Sequence, residues 1–219
     1  SGAIGAYRNW EKWKLSYGGM ITSRAPSIDH LFSDGPHLGT YSYEIGEPNL
    51  KIENTLGLEG SIEYVTNKSD LRFTVYHNYS PNYHMSTALG NEYLPGANWI
   101  EWGSGAAGWL YIYQMQGLEA QIYGFESELD YNLTKIIKLI SSISISRGEN
   151  LSSNIPLSYM PPDKFIFAAE FNLNPLNVDL VYKRGLKQSR LGEFETQTDG
   201  YTVVDLSLIH ISEPTRPLT

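Results

Sequence analysis

Three groups of side chains in this chain have the types and spacing that chemistry requires. Glu126, Glu128 and Asp130 lie two residues apart. On a strand that spacing puts three carboxylates on one face at intervals of about 7 Å. Paired carboxylates do acid–base work, but a row of them also makes a hydrated wall, and the wall is the reading taken here. The second group is histidine. His30 and His37 share one stretch with Asp29, Asp34 and Glu44, His77 and His84 fall in a later one, and His210 lies near the end. Imidazole beside carboxylate suits zinc and similar ions. No H-x-H or H-x-x-x-H spacing fixes two ligands on one element, so a metal would need two loops to converge, and metal binding stays unknown. The third group is aromatic: residues 79–117 hold Tyr79, Tyr83, Tyr93, Trp99, Trp102, Trp109, Tyr111 and Tyr113. Such rings give rigid area with polar tips, suited either to holding a bulky ligand or to closing a mouth. There is no G-x-S-x-G elbow and no Gly-rich phosphate loop with a Lys. The reading is a protein that is not an enzyme and that has no cofactor.

The elements that position these groups are strands. Strict alternation over several residues marks a strand with two different faces. Leu56, Leu58, Ile62 and Tyr64 alternate with Thr55, Glu59, Ser61 and Glu63. Leu71, Phe73 and Val75 alternate with Arg72 and Thr74; Tyr123, Phe125, Leu129 and Tyr131 with Glu126, Glu128 and Asp130. Similar runs occupy 136–146, 165–173 and 177–183, with further strands at 13–22 and 201–208 and a poorer one at 3–10. About nine strands and no convincing helix make the fold all-β.

Composition narrows the class. The 219 residues include 16 Tyr, 5 Trp and 20 Gly, and 18% are charged. No window approaches the roughly 18 consecutive apolar residues of a transmembrane helix. A net charge of −8 without a basic stripe argues against a nucleic-acid partner. Zero cysteines excludes a disulfide scaffold and a thiolate metal site. Four N-x-[S/T] triplets carry no weight in so Asn- and Ser-rich a chain. The chain begins without a Met or a targeting segment and is read as a fragment. Its far end, "SLIHISEPTRPLT", abandons alternation and places Pro214 and Pro217 where a strand should finish. Residues 209–219 are therefore expected to be a non-native read-through tail, and 1–208 the native part.

Connection lengths distinguish among β architectures. Short connections at 9–14, 65–70, 132–135 and 172–177 alternate with long ones at roughly 23–54, 77–116, 147–164 and 184–200. Connections beyond about 12–15 residues are uncommon in compact domains. Here they recur at every second position, so all emerge at one end of an up-and-down meander, which is the pattern of transmembrane β-barrels. Trp10, Trp13, Tyr64 and Tyr131 flank the short turns, as a girdle at the headgroup level would. The apolar face (Leu58, Ile62, Phe73, Phe125, Leu139, Phe167) is expected to meet lipid. Glu59, Glu63, Glu126, Glu128 and Glu170 are expected to face a wet lumen.

The stretch 23–64 resembles the C-terminal half of TonB-dependent outer-membrane receptors. The matching features are Arg24-Ala25-Pro26, Leu31-Phe32, Gly35-Pro36-His37-Leu38, Tyr43-Glu44-Ile45-Gly46, Pro48-Asn49-Leu50 and Glu53. "YGFESELDY" (123–131), "IPLSYMPPDKF" (155–165) and "ETQTDGYTVVDLSL" (195–208) follow in the family's order, so the likeness covers about 1–208. The resemblance implies the last part of a barrel of about 22 strands plugged by an N-terminal domain. It implies a place in the bacterial outer membrane and import of a scarce nutrient with energy from TonB, reached through a plug that this chain lacks. It also implies a small ligand such as a ferric siderophore, with zinc or haem next. The family's usual terminal aromatic residue is missing here. Within the loops, His37, Tyr43, His84, Trp99 and Trp102 are the expected ligand contacts, with the loops 23–54 and 79–116 converging over the lumen. A passive porin or small closed barrel, and a secreted β-sandwich binding module, are the alternatives.

Overall fold

The computed structural model describes residues 1–37, 39–40, 42–88, 99–101, 109–193 and 195–210, with the backbone alone at 99–101, 109 and 210. In chain order its elements are β1 (Gly2–Trp10), β2 (Trp13–Arg24), α1 (Ile28–Phe32), β3 (Asp34–His37), β4 (Ser42–Ile45), β5 (Glu53–Val65) and β6 (Ser69–Ala88). There follow β7 (Trp99–Glu101), β8 (Trp109–Asn132), β9 (Ile137–Asn150), β10 (Ile155–Pro156), β11 (Lys164–Asn172), β12 (Leu176–Gly185) and β13 (Tyr201–His210). The main path of hydrogen-bonded neighbours is β1-β2-β5-β6-β8-β9-β11-β12-β13. Every step along it is antiparallel. This is the expected nine-stranded meander, open between β1 and β13. The one helix among the described residues, α1, has five residues and sits in the first long connection, where Ser27 Oγ caps it by accepting the His30 N–H.

Register sorts the side chains onto two faces. Trp13, Tyr64, Leu71 and Leu129 lie side by side across four strands, as do Leu15, Ile62 and Phe73, and likewise Val75, Phe125 and Ile145. The same apolar face continues through Leu139, Ala169, Leu180 and Leu206. No second sheet covers it among the described residues, and Leu58, Phe73 and Phe167 are exposed. That excludes the sandwich, whose apolar face would be sealed. The opposite face reads Lys14, Glu63, Arg72, Glu128 and Ser142 in one row, with Glu126 between Thr74 and Ser144. Lys14 Nζ lies 2.8 Å and Arg72 3.4 Å from the Glu63 carboxylate. Alternation is less strict toward β13: Ile140, Ile166, Val181 and Val203 sit on the charged face. Trp13 and Tyr64 pack with ring centres 4.6 Å apart, tilted at 50°, at the short-turn end of the apolar face.

Two boundaries differ from the expected ones. The strands β6 and β8 have 20 and 24 residues, about twice the 9–11 that cross a bilayer. Much of the stretch expected as a loop at 77–116 is therefore ladder, with His77 opposite Tyr123 and Tyr83 opposite Leu118. Aromatic side chains suit a pleated surface, and Pro81, which cannot donate to a ladder, falls where the register shifts between Ser80 and Tyr83. At the other end, Ile209 and His210 continue the β13 ladder opposite Asn177 and Leu176, two residues past the expected strand end at 208. Residues 211–219, with Pro214 and Pro217, lie outside the described residues.

Among the described residues, buried apolar packing is found at the long-connection end. Leu118, Ala120 and Ile122 continue the Glu126 face up β8, and Leu157 and Met160 of the third long connection fold onto them. Gly148 makes room for that fold: a Cβ there would lie 2.7 Å from Met160 Sδ.

Candidate ligand-binding site

The first long connection is anchored at its root. Arg24, the last residue of β2, places a guanidinium nitrogen 2.6 Å from Glu53 Oε2 at the start of β5. The same carboxylate oxygen accepts the backbone N–H of His84 at 2.9 Å. His84 Nε2 lies 2.6 Å from the Lys51 carbonyl. A carbonyl only accepts, so Nε2 carries a proton. Nδ1 of the same ring is buried without a hydrogen-bond partner, 4.0 Å from Glu53 Oε2, and the His84 side chain has 0% exposure. The His30 ring of α1 stands edge-on to it at 5.6 Å, and its Nδ1 is likewise buried and unpartnered. Burial, then the neighbouring His84 and Arg24, pushes the His30 imidazole below its ordinary value of 6.5.

Beyond α1 the connection folds into the β3–β4 hairpin. Tyr43 donates its hydroxyl to Asp34 Oδ1 at 2.7 Å, which holds the phenol protonated above its ordinary range. His37 Nδ1 lies 2.9 Å from Glu44 Oε1, and Ser42 Oγ donates to the same oxygen at 3.2 Å. β4 then runs parallel beside β8, Ser42 to Ile45 against Tyr111 to Gln114. The first and second long connections thus meet by strand pairing, as expected for loops that share one end of the meander.

A cleft of about 400 Å³ opens between them. The hairpin contributes Thr40, Ser42 and Glu44, the top of β6 contributes His84 and Met85, and the third long connection contributes Tyr159 and Met160. Tyr159 is held in the left-handed region at φ 64° and the residue is 84% exposed, a conformation that costs a non-glycine residue free energy and collects at functional positions. Its N–H donates to Glu195 Oε1 at 2.6 Å, and Gln188 donates to the Met160 carbonyl, so the fourth connection props the third.

Of the residues expected to contact ligand, His84 lines the cleft. His37 stands behind it through its bond to Glu44, and Tyr43 is on the hairpin facing Asp34. Trp99 pairs by its backbone with Tyr111, and Trp102 lies outside the described residues. Glu59, Glu63, Glu126, Glu128 and Glu170 all share the charged face below. Tyr159 and Met160 were not anticipated; apolar residues inside an otherwise polar connection were the available signal. Among the described residues no group of three or more His, Asp or Glu is arranged to hold a metal ion.

Comparison with known proteins places this geometry. A family model described as TonB dependent receptor-like, beta-barrel, matches residues 6–212. The iron-regulated outer membrane virulence protein of Vibrio cholerae serotype O1 is 26% identical over 158 residues, covering 70% of this chain and 23% of that protein. Among solved structures, the copper transporter OprC superposes with a TM-score of 0.74 at 19% identity, over 93% of this chain and 30% of that one. A mutant of the ferric enterobactin receptor PfeA from Pseudomonas aeruginosa, in complex with enterobactin, gives 0.71 at 18% over 95% and 32%. The siderophore receptor PirA from Acinetobacter baumannii gives 0.69 at 14% over 95% and 34%. The chain spans about a quarter of the curated relative and a third of these structures, and at such identities the structural likeness speaks to the fold alone.

Proposed function

The chain belongs to the TonB-dependent receptor family of the bacterial outer membrane, and from that premise we propose that it forms one sector of a plugged barrel that imports a metal chelate. The family is one of receptors and transporters. In this reading the native sector is 1–208, the apolar face meets lipid, and the face of Glu59, Glu63, Glu126, Glu128 and Glu170 lines the lumen. TonB acts through a plug contributed by another part of the receptor. The cargo is a ferric siderophore, with zinc or haem as the next choices; the iron-regulated relative and the siderophore receptors of like fold support that order.

The observation that carries the proposal is the convergence of the long connections on one cleft above the charged face. A recognition site for scarce cargo belongs there, at the mouth and over the lumen. His37 and Tyr43 brace the hairpin wall, His84 lies beneath it, and Trp99 pairs by its backbone with Tyr111 of β8.

Equilibrium binding of ferric chelates to the full-length receptor in detergent tests this. We expect binding that is weakened by the double substitution Trp99→Ala, Trp102→Ala. Loss with the tryptophan pair alone favours a bulky chelate or haem; loss with His37→Ala alone, together with lost zinc binding, favours the bare metal. Unchanged affinity in both variants would remove these loops from the site.

A further inference from the structure

The three long connections that frame the cleft share a charge property. Residues 25–50, 79–116 and 148–163 contain no lysine and no arginine, Lys51 at the end of the first connection being its one lysine, while they carry carboxylates such as Asp29, Asp34, Glu44, Glu92 and Glu101. The arginines at or behind their feet are already engaged: Arg24 with Glu53, Arg147 with Asp163 and Arg190 with Glu149. No guanidinium or ammonium group lines the cleft among the described residues.

What the cleft presents instead is one carboxylate, neutral hydroxyls and an exposed tyrosine. Glu44 lies at the rim with its side chain 38% exposed, its carboxylate oriented by His37 and Ser42. Below it His84 belongs to the cleft lining with its side chain fully buried, so its ring offers nothing to an incoming ligand. The exposed Tyr159 stands at the third wall in its strained backbone. A carboxylate and an aromatic face both attract a cation. An anion entering here would give up hydration and meet the Glu44 carboxylate with neutral hydroxyls of the lining, Ser86 and Tyr83 among them, but no cationic donor to offset it.

We infer, resting on the reading of the protein as a chelate importer, that its cargo carries zero or positive net charge and is recognised through Glu44 and the Tyr159 ring. Triply anionic ferric tris-catecholates are disfavoured at this mouth. A neutral ferric tris-hydroxamate fits it, and one with a pendant ammonium fits it better.

The test is equilibrium binding to the full-length receptor in detergent, using those three chelates as probes at low and physiological salt. The ammonium-bearing probe is expected to bind, more tightly at low salt, with the tris-catecholate binding at least about tenfold more weakly. Glu44→Gln should weaken the cationic probe by about tenfold and the neutral one by much less, whereas a merely structural loss would weaken both alike. Glu44→Lys should move the preference toward the tris-catecholate. Tightest binding of the tris-catecholate by the wild type overturns this inference and leaves the importer reading standing. So does an unchanged order of the three probes in both Glu44 variants. Binding of none of the three removes the ferric-chelate reading, and this inference falls with it.

Discussion

Arg24 and Glu53 close the first long connection at its root, guanidinium to carboxylate at 2.6 Å, and the same carboxylate oxygen holds the backbone N–H of His84. One side chain therefore ties together β2, β5 and the upper part of β6. Glu53→Ala leaves a buried N–H without its acceptor and Arg24 without its partner, a loss on the order of 1–3 kcal/mol. Because these contacts stand at the foot of the connection, the cost should appear as local opening. Hydrogen exchange on the full-length receptor should show faster exchange at residues 28–33 and 42–46, with the lower ladder of β5 and β6 unchanged. Equal protection in wild type and variant would remove the anchor role.

The hairpin has a second support at Gly46. A Cβ there would lie 2.6 Å from the carbonyl carbon and oxygen of Leu31 and from the Phe32 nitrogen, all backbone atoms that cannot swing aside. Gly46 donates its N–H to the Ser33 carbonyl, and Glu47 to that of His30, so α1 and the residues that follow β4 are stitched at this point. Gly46→Ala should separate them and expose the connection to limited proteolysis between residues 30 and 48. A proteolysis pattern identical to wild type would mean that the backbone yields without loss.

His30 gives the same segment a pH response. Its folded-state value lies below 6.5, so the opened segment takes up the proton first. The stability that neutral His30 contributes is complete above about 6.5 and declines as pH falls below it. The groups that face it are His84 on β6, Arg24 on β2, Glu53 on β5 and Asp29 on its own helix. Burial, His84 and Arg24 outweigh the two carboxylates. Amide exchange slows intrinsically toward pH 5; measured relative to that intrinsic rate, exchange at residues 28–33 should show an excess that grows from pH 7.5 to pH 5, and His30→Gln should flatten that excess. An excess that persists in the variant would assign the response to another group.

The sheet was legible in the sequence where its two faces meet different surroundings. Leu58 beside Glu59 and Phe125 beside Glu126 carry the period of two that a strand between lipid and water requires. The upper ladder was not legible for the same reason. From His77 to Ala88 the strand packs against the long connections, with Ser80, His84 and Ala88 buried and Tyr83 and Met85 on the Leu118 cluster, so hydropathy no longer alternates, and Pro81 looks like a break although it sits at a bulge. In the cleft, residue type alone pointed to His84, but its position depends on the Lys51 carbonyl and the Glu53 carboxylate. Tyr159 owes its place to Glu195, a contact 36 residues away that no local pattern encodes.

Adjacent residues on opposite faces give the cleanest test of how the sheet sits in the membrane. Phe125 lies on the apolar face between Val75 and Ile145, packed at 5.6 Å against Phe73. Glu126 points the other way, between Thr74 and Ser144, and is exposed there. If the apolar face meets lipid, Phe125→Arg puts a charge into hydrocarbon at a cost of about 2–4 kcal/mol. Glu126→Gln exchanges one hydrated group for another and should stay within about 0.5 kcal/mol. The measurement is reversible denaturant unfolding of the full-length receptor in lipid vesicles, comparing midpoints for the two variants. A large loss with Phe125→Arg and almost none with Glu126→Gln fixes the orientation. The reverse order would turn the sheet inside out, with the carboxylates outward, and a loss of equal size in both would mean that neither face meets lipid.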